Sequence, residues 1–324
     1  MKGLVMRSTG SWYEVLDENK HTWKCRLRGK FKIKGLKTSN PIAVGDRVLF
    51  DIEDKIENTG IIHDITQREN YIIRKSVHKT AHGHILAANL DQAIIIITLN
   101  FPRTSLGFLD RFLVSAESFR IPTIIVFNKI DLLSDEDKEY MIDLATMYHE
   151  IGYPSVFTSA TTGKGIQQFE DILKDKISLI SGHSGVGKST LVNAMEPTLH
   201  LKTKNISEQS KQGQHTTTFA EMFDLSFGAS IIDTPGIKGF GIVDLEKEEI
   251  SGYFPEFFKL KDQCKFNNCL HKDEPHCAIK KALDEDKISW TRYNSYLKIL
   301  EGDDENYRVD SFDEDRKASD ETRK

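Results

Sequence analysis

The chain has 324 residues, of which 39% are hydrophobic and 29% charged, with four cysteines and a formal net charge of −5. This length allows two or three domains with buried cores, and the longest apolar run, residues 93–97, is far too short to span a bilayer. The N-terminal residues lack the continuous apolar segment of a secretory signal. We therefore expect a cytoplasmic protein without a membrane partner, and we expect a monomer.

Charge is distributed unevenly along the chain. Residues 20–37 contain eight lysines and arginines and no acid, whereas residues 301–324 contain ten acids and five bases. The net charge by itself argues against a nucleic-acid partner, but a local basic face favours a polyanion. A merely solvated basic hairpin is the alternative. Residues 303–324 are predicted to be an acidic disordered tail.

Residues 1–67 show only strand and turn patterns, with short β-rich segments over residues 4–6, 12–16, 21–28, 45–52 and 60–65. Within residues 21–28, alternation predicts that Trp23, Cys25 and Leu27 face inward while the neighbouring bases face outward. Five short strands in this length predict a small β-barrel, an oligonucleotide-binding (OB) fold suited to RNA. Cys25 is then a core thiol rather than a reactive one.

A basic, histidine-rich connector follows the barrel. Its charged residues and histidines are Arg68, Arg74, Lys75, His78, Lys79, His82 and His84. Because the histidines lack a compact ligand spacing, the pattern favours a mobile loop that contacts a polyanion over a metal site.

From residue 91 the pattern changes to alternating strands and helices. Apolar runs over residues 93–97, 123–127, 155–157 and 177–180 are typical of strands covered on both faces. Helical spacing links Leu109, Phe112, Leu113, Ala116 and Phe119 in one helix and Ile142, Leu144, Ala145 and Tyr148 in the next, which Ser134 and Asp137 would cap. Residues 68–243 are therefore predicted to form a parallel sheet with helices on both sides.

The strand over residues 177–180 runs into Gly182-x-x-x-x-Gly187-Lys188-Ser189, the pattern of a phosphate-binding loop. Backbone N–H groups and a helix N-terminus would bind the phosphates, Lys188 would reach the β- and γ-phosphates, and Ser189 would ligate Mg²⁺. A glycine-rich surface turn is the alternative. The predicted nucleotide-binding residues of this loop are Gly182, His183, Ser184, Gly185, Val186, Gly187, Lys188, Ser189 and Thr190.

The segment Asn128-Lys129-Ile130-Asp131 comes directly after the second buried strand. Guanine presents two adjacent donors, N1–H and the 2-amino group, and Asp131 can accept both, whereas adenine would leave the carboxylate unpaired. Asn128 can serve the N7/O6 side, and the Lys129 stem can cover the base. Ser159 and Ala160, after the third strand, can offer a backbone N–H to O6. This set predicts guanine specificity.

A further apolar strand ends in Asp233-Thr234-Pro235-Gly236. Asp233 would hold Mg²⁺ through water, and the Gly236 N–H would contact the γ-phosphate. In the preceding loop Thr217 is the predicted Mg²⁺ ligand, with Thr216 and Thr218 as alternatives. Residue 237 is isoleucine and not a water-orienting glutamine, which predicts slow intrinsic hydrolysis. His215, or a group from a partner, would then position the water, with His183 as the weaker candidate.

The base-reading motif precedes the phosphate loop, which reverses the order of familiar GTPases. Every motif still follows a strand, and ligands bind at the carboxyl ends of the strands of such sheets. The order therefore predicts a circularly permuted P-loop GTPase domain with its pocket intact. Residues 233–240 lead into the C-terminal region, so nucleotide state can be transmitted there.

Residues 244–302 are predicted to form a helical zinc-binding domain. Three thiols and one imidazole suffice for one structural, tetrahedral Zn²⁺, and they are supplied by Cys264, Cys269, His271 and Cys277. Two helices over residues 278–301 would place Trp290, Tyr293, Leu297 and Leu300 in their core.

Over nearly its full length the chain resembles the ribosome small-subunit-dependent GTPase A (RsgA) family. The resemblance is carried by the barrel, by Asn-Lys-Ile-Asp ahead of Gly-His-Ser-Gly-Val-Gly-Lys-Ser-Thr, by Gly-Gln-His-Thr-Thr-Thr and Asp-Thr-Pro-Gly, and by the Cys/Cys/His/Cys set. It implies a bacterial GTPase that binds the 30S subunit and its 16S rRNA late in maturation and is stimulated by it. The family often has arginine at the position of Gln214, which leaves the role of that position open.

The residues themselves indicate guanine nucleotide hydrolysis with Mg²⁺, and the ribosome enters through the resemblance. A GTP-gated RNA-binding switch in which hydrolysis is incidental is the alternative. An enzyme that modifies RNA covalently would need a second catalytic constellation, and the sequence contains none.

Overall fold

The computed structural model describes residues 1–29, 40–74, 84–199, 220–233 and 245–302. Within these ranges, the helices are α1 (Leu106–Ser118), α2 (Asp135–Ile151), α3 (Ile166–Leu173), α4 (Lys188–Met195), α5 (Lys247–Ile250), α6 (Pro255–Phe258), α7 (Ala278–Asp284) and α8 (Trp290–Glu301). The strands are β1 (Lys2–Ser8), β2 (Tyr13–Asp17), β3 (Thr22–Leu27), β4 (Arg47–Asp54), β5 (Thr59–Ile65), β6 (Tyr71–Arg74), β7 (His84–Ala88), β8 (Gln92–Ile97), β9 (Thr123–Asn128), β10 (Ser155–Thr158), β11 (Ile177–Ser181), β12 (Glu221–Asp224) and β13 (Ser230–Asp233). None of the helices in these ranges combines the length and apolar character that crossing a bilayer requires.

The first five strands form a closed barrel in the order β1-β2-β3-β5-β4, with β4 pairing back onto β1. The β3–β5 pair is parallel and the others are antiparallel, which is the arrangement of an OB-fold. Alternation along β3 buries Trp23 and Cys25, as predicted, and leaves Leu27 half-buried. Burial also raises the pKa of the Cys25 thiol to about 12, as expected for a core cysteine.

The prediction of a mobile loop is wrong for residues 71–74 and 84–88, which form strands, whereas the predicted polyanion contact of the connector stays a prediction. Strands β6 and β7 pair as an antiparallel ribbon, and apolar residues such as Ile72 and Ala87 are buried in the core of the neighbouring domain. Arg68 makes a bidentate ion pair with the fully buried Asp46, with both nitrogen–oxygen distances at 2.6 Å. This pair fixes the start of the connector to the barrel. The predicted contacts at Lys75, His78, Lys79 and His82 lie outside the described residues.

The central domain has the predicted parallel sheet. Strands β10, β9, β8, β11 and β13 are parallel neighbours, and β12 adds an antiparallel edge that also contacts β1 of the barrel. Every residue of β8 is buried because helices cover both faces. In α2 the inward residue is Met141 and not Ile142, which is 55% exposed. The prediction for Ile142 is wrong because the buried stripe of this helix runs through residues 141, 144, 145 and 148.

Helices α5–α8 form a C-terminal module with its own core, which includes Phe254, Phe257, Tyr293 and Tyr296. The two predicted helices over residues 278–301 are present as α7 and α8. Trp290 is 43% exposed, so its predicted core position is wrong. It is the first residue of α8 and lies at the edge of the module, where the helix has only begun to face the core.

Candidate functional site

The predicted site residues follow strands whose carboxyl ends meet at one edge of the sheet. Thr158 on β10 lies in register with Asn128 on β9, and Asp233 on β13 lies in register with Ile180 on β11. Because these strands are parallel, the segments that follow them converge. The reversed order of the motifs along the chain therefore does not separate them in space.

The phosphate loop connects β11 to α4 and needs its glycines for two close approaches. Gly182 has φ +146°, and a Cβ there would lie 2.3 Å from the Ile96 carbonyl oxygen. Gly187 has φ +96°, and a Cβ there would lie 2.5 Å from the Asn128 side-chain nitrogen. Any larger residue would push the loop away from β8 and from the segment that follows β9.

The remaining residues of the loop divide into an anchor and an exposed rim. Val186 is fully buried and packs in the core beneath the loop, whereas Ser184, Gly185 and Thr190 are exposed. The Lys188 ammonium donates to the carbonyl oxygens of Gly182 at 2.6 Å and His183 at 2.8 Å. Ser189 is half-buried in the first turn of α4, a position from which a hydroxyl can ligate Mg²⁺.

Asn128 ties the end of β9 to this loop. Its buried side-chain amide donates to the Val186 carbonyl oxygen at 2.7 Å, and its carbonyl oxygen accepts from the Thr158 hydroxyl at 3.0 Å. Lys129 adds a second link, because its ammonium donates to the Gly185 carbonyl at 2.6 Å and to that of Phe101 at 2.7 Å. The two motifs, distant in sequence, thus form one constellation.

Asp131 is an exposed residue of the 3₁₀ turn Ile130–Leu132, and Lys129, which precedes the turn, has a left-handed φ of 61°. The buried Ser159 shapes the adjacent loop, since its N–H donates to the Lys164 carbonyl at 2.9 Å. That N–H is therefore engaged within the protein. An N–H for the O6 atom of a base would come from the half-buried Ala160 or from a residue after it.

Sequence reasoning assigned no role to two residues of this site. Thr158 fixes the Asn128 amide, and its position at the end of the third strand was the available signal. Phe108 of α1 lies against His183 with ring centroids 3.8 Å apart. No sequence pattern indicates that second contact, because it depends on how α1 packs.

The residues predicted for Mg²⁺ and water are described only in part. Asp233 is the last residue of β13, and the structure describes its backbone but not its side chain. The predictions for His215, Thr217 and Gly236, and for the neighbouring Thr216 and Thr218, lie outside the described residues.

The four predicted metal ligands come together in the C-terminal module, with their ligand atoms all within 4.8 Å of one another. His271 Nδ1 lies 3.5 Å from Cys264 Sγ and 3.3 Å from Cys277 Sγ, and the two sulfurs are 4.0 Å apart. Tetrahedral coordination with bonds of roughly 2.0–2.3 Å requires ligand separations of about 3.5–3.8 Å. The three separations among Cys264, His271 and Cys277 are close to these values, and the four residues together form a group suited to holding one metal ion.

Burial changes the pKa values of the residues in this cluster. Burial raises the pKa of Cys269 to about 12 and raises that of Cys277, while burial lowers the pKa of His271. A bound divalent cation would offset the cost of forming thiolates here. The cluster is held by the core, because Tyr293 donates to the His271 carbonyl and Tyr296 to the Leu270 carbonyl, each at 2.6 Å.

Comparison with known families gives two matches along the chain. The sequence model of the RsgA N-terminal domain matches residues 2–62, and that of the RsgA GTPase matches residues 65–243. Among relatives, a protein of Flavobacterium psychrophilum named small ribosomal subunit biogenesis GTPase RsgA is 64% identical over 100% of this chain and 99% of its own length. One of the same name from Bacteroides fragilis is 50% identical over 94% of this chain and 98% of its own length.

Two solved structures share the architecture. YjeQ from Thermotoga maritima superposes with a TM-score of 0.75 at 37% identity, covering 93% of this chain and 97% of its own. YloQ, described as a circularly permuted GTPase, superposes with a TM-score of 0.71 at 31% identity, covering 93% of this chain and 94% of its own.

Proposed function

We propose a role that proceeds from one premise: the chain belongs to the RsgA GTPase family and is a GTP-hydrolysing enzyme. In this proposal the protein binds the 30S ribosomal subunit in the cytoplasm, assists late maturation of the subunit, and hydrolyses GTP faster when bound to it. The printed names of full-length relatives at 64% and 61% identity support the role in small-subunit biogenesis.

The nucleotide would occupy the edge where the base-reading segment meets the phosphate loop. One observation carries this placement: Asn128 and Lys129 hydrogen-bond directly to the backbone of the loop that would hold the phosphates. Asp131 would accept the two guanine donors, and Lys188 would leave its carbonyl partners for the phosphates. Ser189 and Thr217 would ligate Mg²⁺, with Asp233 acting through water.

Hydrolysis would use the segments beyond this constellation. Gly236 would contact the γ-phosphate, and His215 or a group of the ribosomal subunit would position water, because residue 237 is isoleucine. A group supplied by the partner would account for stimulation by the subunit.

The barrel is the proposed contact with 16S rRNA. Strand β3 turns Lys24 and Arg26 outward, and both belong to residues 20–37, a stretch whose sequence contains no acid. We place the barrel at residues 1–67, the GTPase domain at 68–243, the metal module at 244–302 and the tail at 303–324. The metal is proposed to be one Zn²⁺ per monomer, since three thiolates and one imidazole suit that ion.

A second candidate function is a GTP-gated RNA-binding switch in which hydrolysis is incidental. The observation that favours it is Ile237, which stands where many GTPases have a water-orienting glutamine.

Phosphate release with and without purified 30S subunits separates the two candidates. The proposed function predicts that subunits raise kcat, and that the protein cosediments with them when a nonhydrolysable GTP analogue is bound. Lys24→Glu should weaken cosedimentation several-fold through lost phosphate contacts, whereas Lys138→Glu, an equal charge change on exposed α2, should not. Cosedimentation without stimulation would favour the switch. The absence of both cosedimentation and stimulation would contradict the two candidate functions.

A further inference from the structure

Helix α1 lies between the phosphate loop and the C-terminal module. One side of it belongs to the core under the central sheet, through Leu109, Phe112 and Leu113. Val114 instead belongs to the core of the C-terminal module, together with Phe254 and Phe257. Eleven consecutive residues of the helix, 106–116, are buried, so it cannot shift without disturbing both neighbours.

At its first turn α1 touches the phosphate loop. The Phe108 ring is 4% exposed and its centroid lies 3.8 Å from that of His183. The His183 carbonyl oxygen in turn accepts from the Lys188 ammonium at 2.8 Å. A displacement of Phe108 would therefore move the loop backbone and, before a nucleotide binds, the proposed phosphate-binding lysine.

Half a turn further on, α1 is fastened to the C-terminal module by a buried charge cluster. Arg292 of α8 and Asp110 of α1 are both fully buried, with Arg292 Nη1 2.6 Å from Asp110 Oδ1. The same guanidinium grips Glu256 of α6 through two contacts at 2.8 and 3.2 Å. Tyr148 of α2 donates to Asp110 at 2.8 Å. Such a forked, desolvated arrangement holds its members in one geometry.

We propose that Phe108 and Arg292 are positioning residues for the phosphate loop, and that α1 couples docking of the C-terminal module to nucleotide affinity. The proposal rests on the proposed nucleotide site. Because coupling is reciprocal, nucleotide binding would also strengthen the association between α1 and the C-terminal module. This route is separate from the chain connection through residues 233–240.

The first arm of the test measures the dissociation constant for fluorescently labelled GDP. Phe108→Leu removes the ring contact and should weaken GDP binding about 2- to 10-fold, with kcat at saturating GTP nearly unchanged and KM raised. Leu113→Ala is the control, since it removes the same number of side-chain carbons from the same helix and core. It should lower the melting temperature without changing GDP affinity.

The second arm addresses Arg292. Arg292→Lys keeps the charge but loses the planar guanidinium that bonds Asp110 and Glu256 together. It should weaken GDP binding about 5-fold. Its effect should be less than additive with Phe108→Leu, because both act through α1. Lys272→Ala, which breaks the exposed Lys272–Glu301 pair of the same module, is the control and should leave GDP affinity unchanged. If Arg292→Lys does not fold, Glu256→Gln replaces it and carries the same expectation.

The outcomes separate this inference from the site on which it rests. Failure of the wild-type protein to bind GDP, or full binding by Lys188→Ala, would refute the proposed nucleotide site. If Lys188→Ala abolishes GDP binding but neither Phe108→Leu nor the Arg292 variant weakens it, the positioning role is wrong while the proposed nucleotide site stands. Strictly additive effects of the two variants would overturn the route through α1.

Discussion

At the scale of single residues, the proposed base-reading segment also makes hydrogen bonds within the protein. Both polar groups of the Asn128 side chain are bonded, to Val186 and to Thr158, as a buried amide requires. The motif predicted which residues meet at the site. It did not predict that the Asn128 side chain would hold the loop in place. That contact depends on the close approach of the loop to Asn128, which the absence of a side chain at Gly187 permits.

Glu196 provides a residue-scale test at the end of the helix that follows the phosphate loop. It is the C-cap of α4 and accepts from the Thr198 hydroxyl and, at 2.7 Å, from the Ser226 N–H. The Thr198 bond and the Ser226 bonds lower the pKa of Glu196 from 4.5 to about 2. A depressed pKa stabilises the fold above the unfolded value of 4.5, and this contribution is lost as the pH falls toward about 2.

Glu196→Gln should therefore lower the melting temperature at pH 7, and the deficit should shrink as the pH falls from 4.5 toward 2. Melting curves of both proteins across this range provide the measurement. Glu139→Gln on the exposed face of α2 is the control and should show little deficit at any pH. A Glu196→Gln deficit that stays constant with pH would show that the carboxylate charge contributes nothing.

At the scale of elements, periodicity predicted the barrel strands and the alternating strands and helices well, because burial patterns there follow the element's own geometry. It failed for β6 and β7, four and five residues long, whose pairing depends on the domain against which they pack. It also misplaced Ile142 and Trp290. Both errors concern residues at the edge of an apolar stripe. There, a shift of one position around the helix axis decides whether a side chain faces the core or the solvent.

The metal module gives the element-scale prediction. Elemental analysis should find one zinc per wild-type chain, and Cys277→Ser or a strong chelator should remove it. Without the metal, the melting temperature should fall markedly, because the segment around His271 is packed against Tyr293 and Tyr296 of α8.

Cys25→Ser is the matched control for that experiment. It removes an equally buried thiol, but from the core of the barrel. It should leave the zinc content unchanged while lowering stability. Full zinc retention by Cys277→Ser would contradict the four-ligand site.

At the scale of the whole molecule, the sequence predicted three modules and the permuted order of motifs, since each motif could be assigned to the end of a strand. The joints between modules could not be predicted. The pairing of β12 with β1 and the burial of Arg292 against Asp110 and Glu256 arise only from tertiary packing. Helix α1 is the clearest case, because its sequence has the pattern of an ordinary core helix while its position links two modules.

The central claim is that the permuted chain assembles one pocket specific for guanine, with Asp131 as the base-reading group. Dissociation constants of wild type and Asp131→Asn for GDP, ADP and xanthosine diphosphate test it most directly. Wild type should prefer GDP over ADP by about 10⁴-fold. Asp131→Asn should lose GDP affinity and gain affinity for xanthosine diphosphate, whose 2-oxo group accepts from the new amide. An Asp131→Asn protein that still prefers GDP as strongly as wild type would contradict the account.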